Sequence, residues 1–209
     1  MSGPVAAVVD YGAGNLRSIC RALEVVGAQP AVIREPADAR FDVLILPGVG
    51  AFGAAMRRLE EAGFPRWIRA RVRGGTPLVG VCLGMQLLYE RSEESPGVEG
   101  LGLLGGVVAR LPEGRKIPHM GWNTLRIVRP SPLVDGVGGT MYAYFVHSYV
   151  VQPDDEAGTV AVTDYGVEFP AIVARGGVVG LQFHPEKSGA LGLRLLSNTP
   201  AGRPIGAPR

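Results

Sequence analysis

Pro77-Leu78-Val79-Gly80-Val81-Cys82-Leu83-Gly84-Met85-Gln86 decides the fold. A mostly apolar run of strand length leads straight into Gly-Val-Cys-Leu-Gly, and Leu83, Gln86, Leu87 and Glu90 then recur at helical spacing. The pattern predicts a buried strand, a sharp turn and a helix, with a cysteine on the turn. G-x-C-x-G is the thiol counterpart of the nucleophile elbow G-x-S-x-G. Glycines at 80 and 84 suit a turn with no room for β-carbons on either side of the nucleophile. A sulfur at a helix N-terminus meets unsatisfied N–H groups and the positive end of the macrodipole, which favour a thiolate. The Leu83 amide is placed to stabilise an oxyanion. Most cysteines in apolar surroundings are inert packing residues, so this reading needs a base elsewhere in the chain.

Strand–helix alternation extends upstream. Val5 to Val9 reads as a buried parallel strand, followed by the loop Tyr11-Gly12-Ala13-Gly14-Asn15, with Asn15 as a cap for a helix carrying Leu16, Ile19, Cys20, Leu23 and Val26 on one stripe. Cys20 therefore reads as core. Gly12 and Gly14 tempt a dinucleotide reading, but the third glycine of G-x-G-x-x-G falls at Arg17. Ala31 to Ile33 and Asp42 to Leu46 are further strands. The latter ends in Pro47-Gly48-Val49-Gly50, a loop whose glycines would let a backbone N–H point outward as an oxyanion donor. Two helices follow, the second carrying arginines 66, 69, 71 and 73 on what reads as a solvated face. Beyond Ser92-Glu93-Glu94 the runs become short and β-like, with a hairpin at Arg175-Gly176-Gly177.

The expected fold is α/β: three layers around a doubly wound, mostly parallel sheet, with added antiparallel strands in the second half packed against it. The chain has 209 residues, 46% hydrophobic and 19% charged, and reads as a single domain over 1–209, with 200–209 as a mobile tail. Its net charge of +2 gives no reason to expect nucleic acid or an anionic membrane as partner. No signal peptide or membrane span is legible, and the two cysteines suit no disulfide framework, so a cytoplasmic location is expected.

The base follows from the three histidines, His119, His147 and His184. His184 ends an apolar strand in Gln182-Phe183-His184-Pro185-Glu186. Glu186, two residues on, can reach the ring and fix its tautomer, completing a nucleophile–base–orienter set with Cys82. No pair of histidines or cysteines has metal-ligand spacing, so no metal or cofactor is expected.

Pro47-Gly48-Val49-Gly50, Gly80-Val81-Cys82-Leu83-Gly84-Met85-Gln86 and His184-Pro185-Glu186 together resemble the triad glutamine amidotransferases. Asp10 to Asn15, Pro118-His119-Met120-Gly121-Trp122-Asn123 and Tyr144-Phe145-Val146-His147-Ser148-Tyr149 resemble, more narrowly, the glutaminase subunits of imidazole glycerol phosphate synthase in histidine biosynthesis. The likeness runs from Val5 to about Leu196. It implies Cys82 as nucleophile, His184 as acid and base and Glu186 as orienter, with oxyanion donors from Leu83 and the Val49–Gly50 loop. It also implies L-glutamine held by Gly48, Gly50, Gln86, Glu94, Ser148 and Tyr149. The implied partner is a (β/α)₈-barrel cyclase subunit, docked on Met120, Trp122, Lys187 and the Gly12–Asn15 loop, which takes up the ammonia. Three other readings stay open: a glutaminase serving another acceptor or standing alone, a non-catalytic regulatory subunit, and a nucleotide-binding module.

Overall fold

The computed structural model describes residues 3–12 and 14–202. The first half alternates as the pattern requires: β1 (Val5–Val9), α1 (Leu16–Val25), β2 (Gln29–Ile33), β3 (Val43–Gly48), α2 (Phe52–Glu61), α3 (Phe64–Arg73), β4 (Leu78–Cys82) and α4 (Leu83–Gln86). The second half adds β5 (Arg91–Ser92), β6 (Gly106–Arg110), β7 (His119–Thr124), β8 (Arg126–Ile127), β9 (Tyr142–His147), β10 (Tyr149–Pro153), β11 (Thr159–Asp164), β12 (Glu168–Arg175), β13 (Val178–Leu181) and α5 (Gly189–Asn198).

Eight strands form the main sheet in the order β2-β1-β3-β4-β13-β12-β11-β8. The first five run parallel and the last three extend the sheet antiparallel. β3 and β4 are buried along their whole length, which is why they read as unbroken apolar runs, whereas the edge strand β2 is half exposed. One apolar layer packs α1 and α5 on one face through Ile19, Leu23, Leu195 and Leu196; the other packs α2 and α3 on the opposite face through Phe52, Met56, Leu59, Phe64 and Ile68. The expected fold class is borne out.

Four details differ from expectation. β13, β12, β11 and β8 do not pack against the first sheet; they continue it, because the free edge of β4 takes β13 in parallel register, Gly180 beside Gly80. Only β5, β6, β7, β9 and β10 form separate small sheets. The helix after Cys82 is a single turn. The carbonyls of Leu87, Leu88 and Tyr89 accept N–H groups from Leu101 to Leu104 instead of continuing a helix. Asn15 stands at the N-cap of α1 but makes no side-chain cap hydrogen bond. Arg69 and Arg71 are not on a solvated face. Arg69 donates to the carbonyls of Leu101 (2.8 Å) and Gly100 (3.0 Å), and Arg71 donates to those of Ala37 and Ala39 while lying 5.2 Å from the Trp67 ring.

Of the tail expected at 200–209, residues 200–202 form a turn with Ala201 buried, and the remainder lies outside the described residues. Ala13, in the loop before α1, also lies outside them. Among the described residues no helix is long and apolar enough to cross a membrane.

Candidate active site

Cys82 closes β4 with φ +56° and ψ −112°, the one positive φ outside glycine among the described residues. Any residue with a β-carbon is strained in such a backbone, and strain of this kind persists only where the surroundings hold it. Three glycines provide that hold. A β-carbon on Gly84 would stand 1.8 Å from the Leu46 carbonyl oxygen, and one on Gly80 would stand 2.7 Å from the Gly84 oxygen. One on Gly48 would meet the Tyr11 hydroxyl at 2.6 Å and the Gly84 nitrogen at 2.9 Å. β3, the elbow and α4 thus touch backbone to backbone, and only glycine fits at the three contacts.

Behind the thiol, His184 is buried, and its Nδ1 pairs with Glu186 Oε1 at 2.8 Å, both side chains 4% exposed. The pair is made by a 3₁₀ turn over Pro185–Lys187, which swings the carboxylate back to the ring; it is not made by extended chain. The His184 backbone is pinned to β9: its N–H donates to the Tyr144 carbonyl (2.9 Å), and Ser188 Oγ bonds both the His184 carbonyl and the Tyr144 N–H. Burial alone would lower the ring's pKa. The Cys82 sulfur nearby and the Glu186 carboxylate bonded to Nδ1 outweigh it and push the ring up to about 10. Nε2 itself has no hydrogen-bond partner among the described residues, and Cys82 Sγ donates instead to the Val146 carbonyl (3.7 Å). The ring is therefore an imidazolium at neutral pH.

A cavity of about 250 Å³ opens over the sulfur, lined by Val49, Gly50, Cys82, Leu83, Gln86, Glu94, Pro118, Val146, His147, Ser148 and Tyr149. It gathers the residues singled out for oxyanion and substrate binding, with one exception. Gly48 stops one residue short and packs against Tyr11 and the elbow. Glu94 does double duty: Oε2 accepts the Phe52 N–H (2.6 Å) at the start of α2, and the side chain also borders the cavity. Tyr11 donates its hydroxyl to the Pro47 carbonyl (2.9 Å), fixing β3 just before its glycine loop, and burial holds that phenol well above its ordinary range.

The docking candidates are on the surface. Met120 and Trp122 are 62% and 57% exposed on β7, and Trp122 meets the Tyr144 ring edge to face. Lys187 Nζ lies over the Tyr144 ring, 5.6 Å from its centroid, and Asn15 is exposed.

Sequence reasoning gave no role to His119 and His147, because their meeting depends on strand register. β7 and β9 pair His119 with His147 directly. His147 Nδ1 lies 3.0 Å from the Tyr149 carbonyl, which can only accept, so Nδ1 carries the proton. Its Nε2 then accepts from His119 Nδ1 (3.0 Å), and His119 Nε2 accepts from Asn123 Nδ2 (3.2 Å). Both rings are neutral in this arrangement. Burial lowers His119 to about 4, and burial with the charges of His119 and His184 lowers His147 to about 3.

The family model for glutamine amidotransferase class-I matches residues 7–199. The chain belongs to the class-I glutamine amidotransferases. Among relatives of this amidotransferase, the imidazole glycerol phosphate synthase subunit HisH of Geobacillus thermodenitrificans is 52% identical over 197 residues, covering 91% of this chain and 92% of that one. The subunit of the same name from Natronomonas pharaonis is 52% identical over 200 residues, 91% of each chain. Within the class-I glutamine amidotransferases the chain thus falls in the HisH group. A crystal structure of a glutamine amidotransferase superposes with TM-score 0.74 at 25% identity, covering 96% of this chain and all of that one. PurLQS from Thermotoga maritima shares the fold, with TM-score 0.75 at 22% identity over 94% of this chain and 97% of that one.

Proposed function

We propose that this amidotransferase is the glutaminase subunit of imidazole glycerol phosphate synthase, releasing ammonia from L-glutamine for a cyclase subunit. One observation carries the reading: a cysteine on a strained elbow, backed by a buried imidazolium and its carboxylate, opens onto a cavity bordered by an acid.

In the proposed reaction the Cys82 thiolate attacks the side-chain carboxamide carbon of glutamine and a C–S bond forms. The tetrahedral oxyanion takes hydrogen bonds from the N–H groups of Leu83 and the Val49–Gly50 loop. As the C–N bond breaks, His184 gives its proton to the leaving nitrogen and ammonia departs. The remaining γ-glutamyl thioester is attacked by water, whose proton passes to the now neutral His184. Glutamate leaves and the thiolate returns. Glu186 holds the ring's orientation throughout. Glu94 suits the substrate's ammonium, and Gln86, Ser148 and Tyr149 supply polar contacts to its two ends. Gly50, at φ +97° with open space where a β-carbon would lie, lets the neighbouring Val49 peptide turn cheaply, and we assign the completion of the oxyanion site to that turn.

The exposed Met120–Trp122 face favours a subunit over a free-standing glutaminase, since Trp and Met are common anchors of protein interfaces. The test is glutamate release from glutamine by the chain alone and with a cyclase subunit carrying its nucleotide ligand. Strong stimulation by the complex, and loss of turnover in Cys82→Ala, are expected. Full activity of the lone chain, unchanged by the cyclase, would leave a glutaminase but remove the subunit assignment.

A further inference from the structure

A line of hydrogen bonds beside the cavity ends on Gln86, one of the substrate contacts named above, but its histidines and Gln182 take no part in that reaction. It begins at the Asp164 carbonyl, which accepts from Asn123 Nδ2 (2.8 Å), and runs through His119 and His147 to the Tyr149 carbonyl. That carbonyl also accepts from Gln86 Nε2 (2.9 Å), and Gln86 Nε2 donates again to Gln182 Oε1 (3.1 Å). A primary amide nitrogen has two hydrogens, and both now have acceptors. The Tyr149 carbonyl has two lone pairs, and both now have donors. What is left of the Gln86 carboxamide is its carbonyl oxygen, and Gln86 borders the cavity.

We propose that Gln182, His147 and His119 are positioning residues that hold the Gln86 carboxamide with its carbonyl oxygen toward the substrate cavity, so that the site selects a ligand offering an N–H donor there. The inference rests on the glutaminase reading. Glutamine carries two such donors, an ammonium and a primary amide; glutamate, the product, has exchanged the amide for an acceptor-only carboxylate. Gln182 gives independent support. It is fully buried, and its Nε2 has no partner among the described residues. An unmade buried donor costs stability that an apolar residue would not incur. Its presence is explained if the oxygen at the other end of the amide is needed where it is.

The test is steady-state kinetics of the assembled complex with glutamine, alongside alkylation of Cys82 by iodoacetamide, which needs no substrate recognition. Gln182→Leu is expected to raise KM for glutamine about three- to tenfold, the worth of one hydrogen bond, and by more than it lowers kcat. His119→Phe, which keeps the ring stack against Phe145 and Tyr165, is expected to shift KM in the same direction. It carries the test alone if Gln182→Leu does not fold. Alkylation rates should stay within about twofold of the unaltered complex. In a Gln86→Leu background, Gln182→Leu should add nothing further, because both act through one amide. An unmoved KM overturns the proposal. So does an equal KM effect in the Gln86→Leu background, or a KM shift matched by a changed alkylation rate, which would place the disturbance in the elbow. Absence of glutamate release from the unaltered complex would instead overturn the glutaminase reading, and this inference with it.

Discussion

Buried histidines of opposite charge state lie within one small region. His184 binds its proton more tightly folded than unfolded, with its pKa raised from 6.5 to about 10. Its contribution to stability is therefore fully present below about pH 6.5 and is lost as pH rises through about 10. His119 and His147 are lowered to about 4 and about 3, so their neutral forms support the fold above about pH 6.5 and that support is lost as pH falls toward those values. Thermal unfolding followed across pH should show a plateau near 6.5 with a decline on each side. Glu186→Gln should flatten the alkaline limb and His119→Phe the acid limb; a variant whose profile runs parallel to the parent would assign that limb to other groups. Glu186→Gln should also cut kcat by about 10² or more, as loss of the carboxylate that fixes a base's tautomer and orientation does. At this scale Cys82, His184 and Glu186 were legible because they sit in short local patterns. The His119–His147 pair was not, because residues 28 apart meet only through strand register.

Two elements show how glycine positions divide between packing and motion. Gly84→Ala forces a β-carbon into the Leu46 carbonyl, backbone against backbone, and should cost at least about 3 kcal/mol in urea unfolding, or prevent folding. Gly50→Ala meets nothing within 4 Å and should leave the fold within about 1–2 kcal/mol, the strain of its positive φ, while slowing glutamine turnover by stiffening the oxyanion loop. Equal stability losses in the two variants would contradict this division. Arg69 ties α3 to the return segment at Gly100 and Leu101 with two charged hydrogen bonds, so Arg69→Ala should lower unfolding stability by about 2–3 kcal/mol. Element types in the first half were legible from apolar runs and helical stripes. The single-turn length of α4 was not, because the competing hydrogen-bond donors come from Leu101 to Leu104, which local periodicity does not register.

Across the whole molecule, the exposed face and His184, the proposed base, are joined through a single residue, Tyr144. Tyr144 shows its ring to Trp122 and Lys187, and its backbone carbonyl holds the His184 N–H. Trp122→Ala should weaken binding of the cyclase by at least about tenfold in calorimetric titration, with unfolding stability unchanged within about 0.5 kcal/mol. An unchanged affinity would move the docking face elsewhere. The parallel half of the sheet was readable from βα alternation, while the edge-to-edge continuation through β13 was not, since Val178 pairs with Leu78 across a long stretch of chain. That pairing also sets a schedule for biosynthesis. A chain emerging from the ribosome presents Cys82 well before β13, His184 and Glu186 exist, so the nascent thiol has neither its flanking strand nor its base. The bare edge of β4 waits for a partner from the last part of the chain, which makes folding slow and leaves a strand edge open to wrong pairing in the interval. A chain cut off before His184 therefore carries the Cys82 thiol without its proposed base.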